Sequence, residues 1–338
     1  MEKIPTIKEI AKRLKVSTST VSRALHGHPS IGLVTTMRVK KIANELNYEP
    51  NQTAIFFKQR KTFTIGVILP DLSEAFFSSA LSGIEEYAGK RNYNVIIGQS
   101  LENPDRERRI LETMKNHRVD GVIISVTKST TDYEVFKQLK RYNIPIVFFD
   151  RVPAMEDIHY TACNLQPGML QAIDCLIEQG LSNIGLINGP AQLIASKERL
   201  DAYKEGLSDH QICIRPELIV SSNLSSEQNY SAMRKLLVLN ERPSAIITFN
   251  DYVALDAIAV VKKHNLVVNR DISFVSFANL PVWSYMDNLP LASIEQFPKK
   301  QGAMAAEIIF KLFDNPIDEV PLVPVFHRVF FDSKMISR

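Results

Sequence analysis

The chain has 338 residues, 45% of them hydrophobic, and carries 40 Lys+Arg against 37 Asp+Glu. That length suits two or three domains with ordinary buried cores. Three cysteines, Cys163, Cys175 and Cys213, are too few and too irregularly spaced for a disulfide framework or a zinc site, and read as reduced thiols of a cytosolic protein.

The charge is unevenly placed. Residues 1–61 hold 12 Lys+Arg against 4 Asp+Glu, while the rest holds 28 against 33. A cationic head on a mildly acidic body is the electrostatic footprint of a nucleic-acid-binding module. The charged, amphipathic start does not read as a signal peptide, and no apolar run is long enough to span a bilayer. No membrane partner is expected.

Residues 6–25, TIKEIAKRLKVSTSTVSRAL, read as two short amphipathic helices joined by a tight turn. Ile7, Ile10, Ala11 and Leu14 recur at helical spacing, with Lys8, Lys12, Arg13 and Lys15 on the wet side. Thr6 is the expected N-cap, with Glu9 completing a capping box. Ser17 offers a second N-cap. After it Val21, Ala24 and Leu25 turn inward, leaving Thr18, Ser19, Thr20, Ser22 and Arg23 outside. Short hydroxyl side chains let a helix approach base edges closely, and Arg23 can fork onto a guanine or a phosphate. This is the layout of a helix-turn-helix that reads the major groove. A third helix, roughly 33–47, closes the small core with Val39, Ile42, Ala43 and Leu46. A generic helical hairpin with a solvated polar face fits the same periodicity; the confinement of basic charge to this segment favours DNA.

Beyond residue 62 apolar runs of strand length alternate with helical patterns. Strands are expected at Thr64–Leu69, Tyr93–Gly98, Asp120–Val126 and Ile144–Asp150, with helices near 76–91, 104–117 and 132–142. Pro104 suits a first helical turn. The alternation resumes with Ile184–Asn188, a helix near 196–208, Ser244–Phe249, a helix at 251–264, and Ile272–Phe277. Continuous apolar strands alternating with helices imply parallel sheets covered on both faces. Two such runs imply two doubly wound subdomains, and ligands in such folds sit beyond the carboxyl ends of the strands. Those ends carry Pro70-Asp71, Ser125, Asp150-Arg151, Gly189-Pro190 and Asn250-Asp251. Two facing sets make a cleft that can close on a small molecule by hinge motion.

TIKEIAKRLKVSTSTVSRAL, NELNYEPNQTA, IGVILPD, Phe76-Phe77, RVDGVIIS, IPIVFFDR, INGP, RPSAIITFND, DISFVSF, LASIEQF and QGAMAAEIIF follow one another in this order. With them the chain resembles the lactose-repressor (LacI/GalR) family of bacterial transcription regulators over essentially its full length. The resemblance implies an α/β protein: an N-terminal helix-turn-helix headpiece (1–50), a hinge helix and linker (51–61), and an effector-binding and dimerisation body (62–338). That body has two doubly wound parallel-sheet subdomains, like periplasmic binding proteins. The resemblance further implies a cytoplasmic homodimer, or a tetramer, on a near-palindromic double-stranded DNA operator in the nucleoid. It is gated by a small-molecule effector such as a sugar, with no cofactor or metal.

By the same resemblance Thr18 and Ser19 are the main base-reading pair, with Arg23 beside them. Ser17, Thr20, Ser22, His26, Ser30 and Thr35 fall at phosphate and flanking contacts, and Thr6, Asn51 and Ala54 extend that set. Tyr48, Pro50 and Asn51 lead into a hinge helix at about 51–59 that orders when paired on DNA and enters the minor groove. There Phe57 is an apolar wedge that kinks the duplex, or else a core or dimer-interface aromatic; Phe56 competes for the role. The expected effector contacts are Asp71, Phe76, Phe77, Ser125, Asp150, Arg199, Asn250 and Gln296.

Departures from the family pattern bear on the effector. Asn164-Leu165 stands where Asp-Asn or Asp-Asp is usual before Gly168. Ala278-Asn279 replaces a usual aspartate, and an Arg-x-x-Gly word appears as Arg199 to Ala202. Fewer carboxylates mean fewer acceptors for sugar hydroxyls. The expectation is a less hydroxylated or anionic effector anchored on Arg199, or a regulator with weakened or lost effector response. Arg199 also suits an interdomain salt bridge, and Asp150 and Asp251 suit caps or turns. In the headpiece Gly32 and Thr36 replace a usual Ser cap and a phosphate-binding Arg, and Lys15 takes a turn position that is often glycine. No nucleophile elbow, phosphate-loop glycine pattern or metal-spaced histidine set is present. An enzyme is not expected, and a transport-type binding protein would need an export signal.

Overall fold

The computed structural model describes residues 5–49, 61–314 and 325–338. The chain divides into two compact units, Met1–Thr62 and Phe63–Arg338.

The first unit packs α1 (Ile7–Leu14), α2 (Thr18–Leu25) and α3 (Leu33–Glu45). Ile10, Ala11, Val21, Ala24, Val39 and Ala43 form its core, none more than 6% exposed. Lys15 ends α1 in the left-handed region at φ 55, which explains why glycine suits that position. Ser17 caps α2 as expected, its side chain accepting from the Thr20 N–H. The capping box on α1 does not form. Thr6 holds the N-cap position, but its side chain makes no capping bond, and Glu9 is drawn to Arg13 at 3.6 Å. An i,i+4 ion pair on the outer face has displaced the reach back to the helix start.

The second unit contains two six-stranded sheets. The first takes β1 (Thr64–Leu69), β2 (Asn94–Gln99), β3 (Gly121–Ile124), β4 (Ile146–Phe149), β5 (His159–Asn164) and β11 (Arg328–Asp332), in the order β11-β5-β4-β3-β1-β2. The second takes β6 (Ile184–Asn188), β7 (Ile219–Ser221), β8 (Ala245–Thr248), β9 (Ser273–Phe277), β10 (Ala292–Glu295) and β12 (Lys334–Ser337), in the order β12-β10-β9-β8-β6-β7. All pairings are parallel except β10 with β12. Each of the seven expected strands is present, shortened or shifted by one to three residues at some ends.

Helices cover both faces of each sheet. On the first, α4 (Ala75–Gly89) and α11 (Pro298–Asp314) share one core, and α5 (Pro104–Asn116) and α6 (Glu134–Arg141) share the other. On the second, α7 (Gln166–Glu178) and α8 (Ile194–Asp209) cover one face, and α9 (Ser226–Leu237) and α10 (Asp251–Lys263) the other. The chain passes between the sheets three times, at Leu165, at Gln296-Phe297 and at Ser333. Three neighbouring crossovers with few residues each are the geometry of a hinge.

Candidate DNA interface and effector cleft

The outer face of α2 is built from small hydroxyls. Ser17 Oγ lies 2.7 Å from Ser19 Oγ and 2.9 Å from Thr20 Oγ1, and accepts from Thr20 N at 3.0 Å. The N-cap that starts the helix thereby also orients two of its outward side chains. Thr18, Ser19 and Arg23 are exposed, and Ser22 is half-buried. Among the described residues Arg23 makes no side-chain ion pair or hydrogen bond, so its guanidinium is available. Where α2 ends, His26 Nδ1 meets the Ser22 carbonyl at 2.7 Å, and His28 Nδ1 lies 2.8 Å from Ser30 Oγ. Thr6 is exposed at the start of α1, and Thr35 is half-buried in the first turn of α3. Asn51, Ala54 and Phe57 lie outside the described residues.

In the second unit the strand ends of the two sheets bring charged groups together. Asp150 follows β4 in the left-handed region at φ 59, and its N–H donates to the Thr161 carbonyl at 3.1 Å. Ser125 Oγ donates to Asp150 Oδ2 at 3.5 Å, and Arg151 Nε lies 4.0 Å from the same oxygen. Arg151 turns its Nη1 to Glu102 Oε1 at 2.6 Å and stands 5.5 Å from the Phe77 ring centroid. Asp71 accepts from Ser73 N and from Gln99 Nε2.

Arg199 comes from α8 of the second sheet and is only 3% exposed. Its guanidinium lies 4.2 Å from the Phe249 centroid and 4.3 Å from the Phe277 centroid. Nη1 donates to the Ala195 carbonyl at 3.1 Å, while buried Nε has no partner among the described residues. Burial lowers the Arg199 pKa to about 10, with Asp150 and Glu198 opposing the fall. Burial likewise raises the carboxyl of Asp150, against the pull of Arg151 and Arg199. Asp150 and Arg199 thus share a field across the two sheets, but among the described residues Arg199 forms no salt bridge.

Other expected residues serve the fold. Asn250 caps α10, accepting from Val253 N at 3.0 Å. Asp251 is fully buried and accepts from Leu280 N at 2.6 Å, from Ser293 Oγ at 2.8 Å and from Ser276 Oγ. It ties down the segment after β9, so it is an internal anchor and not a rim group. Phe76 and Phe77 pack edge-on, 5.3 Å apart, in the core beneath α4; Phe77 reaches the cleft through Arg151. Gln296 is buried at a crossover, its carbonyl accepting from Gln301 Nε2.

Sequence reasoning missed Glu74, Glu102, Glu198, Phe249, Phe277 and Tyr252. Glu74 precedes α4 and makes no capping bond. Burial pushes its carboxyl up to about 7; Arg151 opposes this, and Glu102, Asp150 and Asp71 add to it. Burial raises Glu198 too, against Arg199. Tyr252 Oη, from α10, accepts from Ala75 N at 3.4 Å, joining the N-terminus of α4 to the second sheet. Glu74, Glu102 and Glu198 thus act electrostatically with Asp150, and Asp71 acts on Glu74. The signal was adjacency: Glu74 lies beside Phe76, and Glu198 beside Arg199.

Residues 6–51 match the family model described as bacterial regulatory proteins, lacI family, and residues 62–325 match periplasmic binding proteins and sugar binding domain of LacI family. The chain belongs to the LacI family. It is a DNA-binding transcription regulator with a periplasmic-binding-protein-like body. Catabolite control protein A of Priestia megaterium is 29% identical over 327 residues, 96% of this chain and 98% of the relative. The HTH-type transcriptional repressor CytR of Escherichia coli K12 is 30% identical over 295 residues, 87% of this chain and 86% of the relative. The Lac repressor dimer bound to operator and the anti-inducer ONPF shares the fold with a TM-score of 0.82 at 21% identity, covering 99% of this chain and 98% of that one. These LacI-family relatives are transcription regulators. Among the described residues no helix is long and apolar enough to cross a membrane.

Proposed function

We propose that this regulator is a homodimeric repressor whose hold on its operator is set by a small effector between the two sheets. The observation that carries the reading is the Arg199 guanidinium, stacked on two rings with Nε unpartnered, sharing a field with Asp150 of the opposite sheet. A ligand bridging these groups would favour one relative angle of the sheets over another, and acts only through that difference in affinity. The carboxylates that act with Asp150 disfavour an anionic effector and favour a neutral, hydroxylated one such as a sugar, with Asp150 and Ser125 as its polar floor.

Thr18, Ser19 and Arg23 are the base readers in this account, with Ser17, Thr20, Ser22, His26, Ser30 and Thr35 on the backbone. Exposed Ile96 (45%) and Ile97 (40%) on β2, an edge strand, support pairing of two copies. Calorimetry of the full chain against a panel of monosaccharides and nucleosides, repeated with Arg199→Ala, tests the effector site. Heat with a neutral sugar that disappears in the variant is the expected result. No heat with any of them favours a regulator that acts without an effector, the second reading that the cross-sheet field of Asp150 and Arg199 allows.

A further inference from the structure

We propose that operator binding takes up a proton at His26, whereas His28 donates to the DNA backbone whatever the pH. The inference rests on the reading of α2 as the DNA-facing helix.

His26 Nδ1 lies 2.7 Å from the Ser22 carbonyl oxygen. A carbonyl only accepts, so Nδ1 carries the hydrogen and the neutral ring presents Nε2 as a bare lone pair. A phosphate oxygen also only accepts. The neutral ring therefore repels it, and only the protonated ring donates a charge-assisted bond.

His28 has the opposite tautomer. The Ser30 N–H donates to its Nδ1 at 3.2 Å, and Ser30 Oγ lies 2.8 Å from the same atom. Nδ1 is therefore bare, and Nε2 carries a hydrogen in the neutral as well as the charged ring.

Both rings are exposed, and His26 falls four residues after Ser22 and three after Arg23, on the outward side of α2. The charged residues of the three helices are almost all cations: Arg23 on α2; Lys8, Lys12, Arg13 and Lys15 on or beside α1; Arg38, Lys40 and Lys41 on α3. Of the acids on those helices, Glu9 is paired with Arg13 and Glu45 closes α3, with none between Ile10 and Asn44. Phosphates supply the negative partner that this surface lacks.

The test uses the full chain and a duplex enriched from genomic DNA by binding to it, with affinity read by fluorescence anisotropy at constant ionic strength. Wild-type affinity is expected to fall about tenfold or more from pH 6 to pH 8. His26→Gln, whose amide donates at every pH, should lose most of that fall. His28→Gln should bind more weakly at both pH values and keep most of the wild-type pH response, because its neutral ring still donates and loses only the charge-assisted part. Equal wild-type affinity at pH 6 and 8 overturns the coupling without any variant. A response undiminished in His26→Gln, or one that vanishes in His28→Gln alone, overturns the assignment. Failure to enrich any duplex would defeat the reading of α2 itself, and this inference with it.

Discussion

Arg199 lays its guanidinium 4.2 Å from the ring centroid of Phe249, leaving a cation only 3% exposed, with Asp150 opposing the fall in its pKa. Stacking, one backbone acceptor and an opposing carboxylate together offset the loss of hydration. Arg199→Ala removes the stack and one of the two cations acting on Asp150, Arg151 remaining, and should lower stability by about 1–3 kcal/mol. Arg199→Lys should recover little, because an ammonium cannot lie flat between two rings. Denaturant unfolding followed by circular dichroism measures both. An alanine variant as stable as wild type would show that the stack holds nothing.

The approach of α4 to α11 has no room for a side chain. A Cβ at Gly302 would fall on the Ala80 carbonyl, and one at Gly83 on the Lys299 carbonyl. Both obstacles are backbone, so the helices must separate. Gly302→Ala should destabilise the protein by about 1–3 kcal/mol, read as a lower melting temperature. An unchanged melting temperature would mean that this crossing is looser than it looks.

Glu74 gives the body a pH-dependent stability of defined sign. Its folded pKa of about 7 lies above the ordinary 4.5, so between these values the folded protein holds more proton than the unfolded chain. The contribution is complete below the ordinary value and is lost as pH rises toward 7, by at most about 3 kcal/mol. His159 acts oppositely, since burial and then His327 lower its pKa to about 4. Its effect is common to wild type and Glu74→Gln. Melts of the pair across pH 4.5–7 should therefore show the stability of wild type relative to the variant falling as pH rises. Parallel curves would remove Glu74 from the account.

Arg23 is exposed and uncommitted on α2. Arg23→Ala should weaken operator binding by about 1–3 kcal/mol while leaving affinity for unrelated duplexes much less changed. Competition binding gives the ratio. A ratio equal to wild type would assign Arg23 to the backbone and not to a base.

Much of this arrangement is legible in the sequence, for physical reasons that differ by element. Strands β1 and β6 are buried along nearly their whole length, so they read as unbroken apolar runs. Strand β11 alternates between exposed and half-buried positions, β12 is half-buried only in its middle, and their place in each sheet depends on partners about 170 and 45 residues earlier, Tyr160 and Ala292. No local pattern announces that. Asp150 and Arg199 are legible through the family words that contain them. Phe249 and Phe277 are not, because each ends a strand run and reads as ordinary core. Only the fold brings them onto Arg199. The capping box at Thr6 and Glu9 has the right letters, and a competing ion pair overrides it.

The central claim is that the cationic first unit reads DNA. The most direct measurement is affinity of the full chain for a duplex enriched from genomic DNA, followed across salt concentration. The account predicts a linear log–log fall corresponding to roughly six to ten released counterions, together with a clear preference for the enriched duplex over a scrambled one. A flat response to salt, or equal affinity for both duplexes, would contradict it.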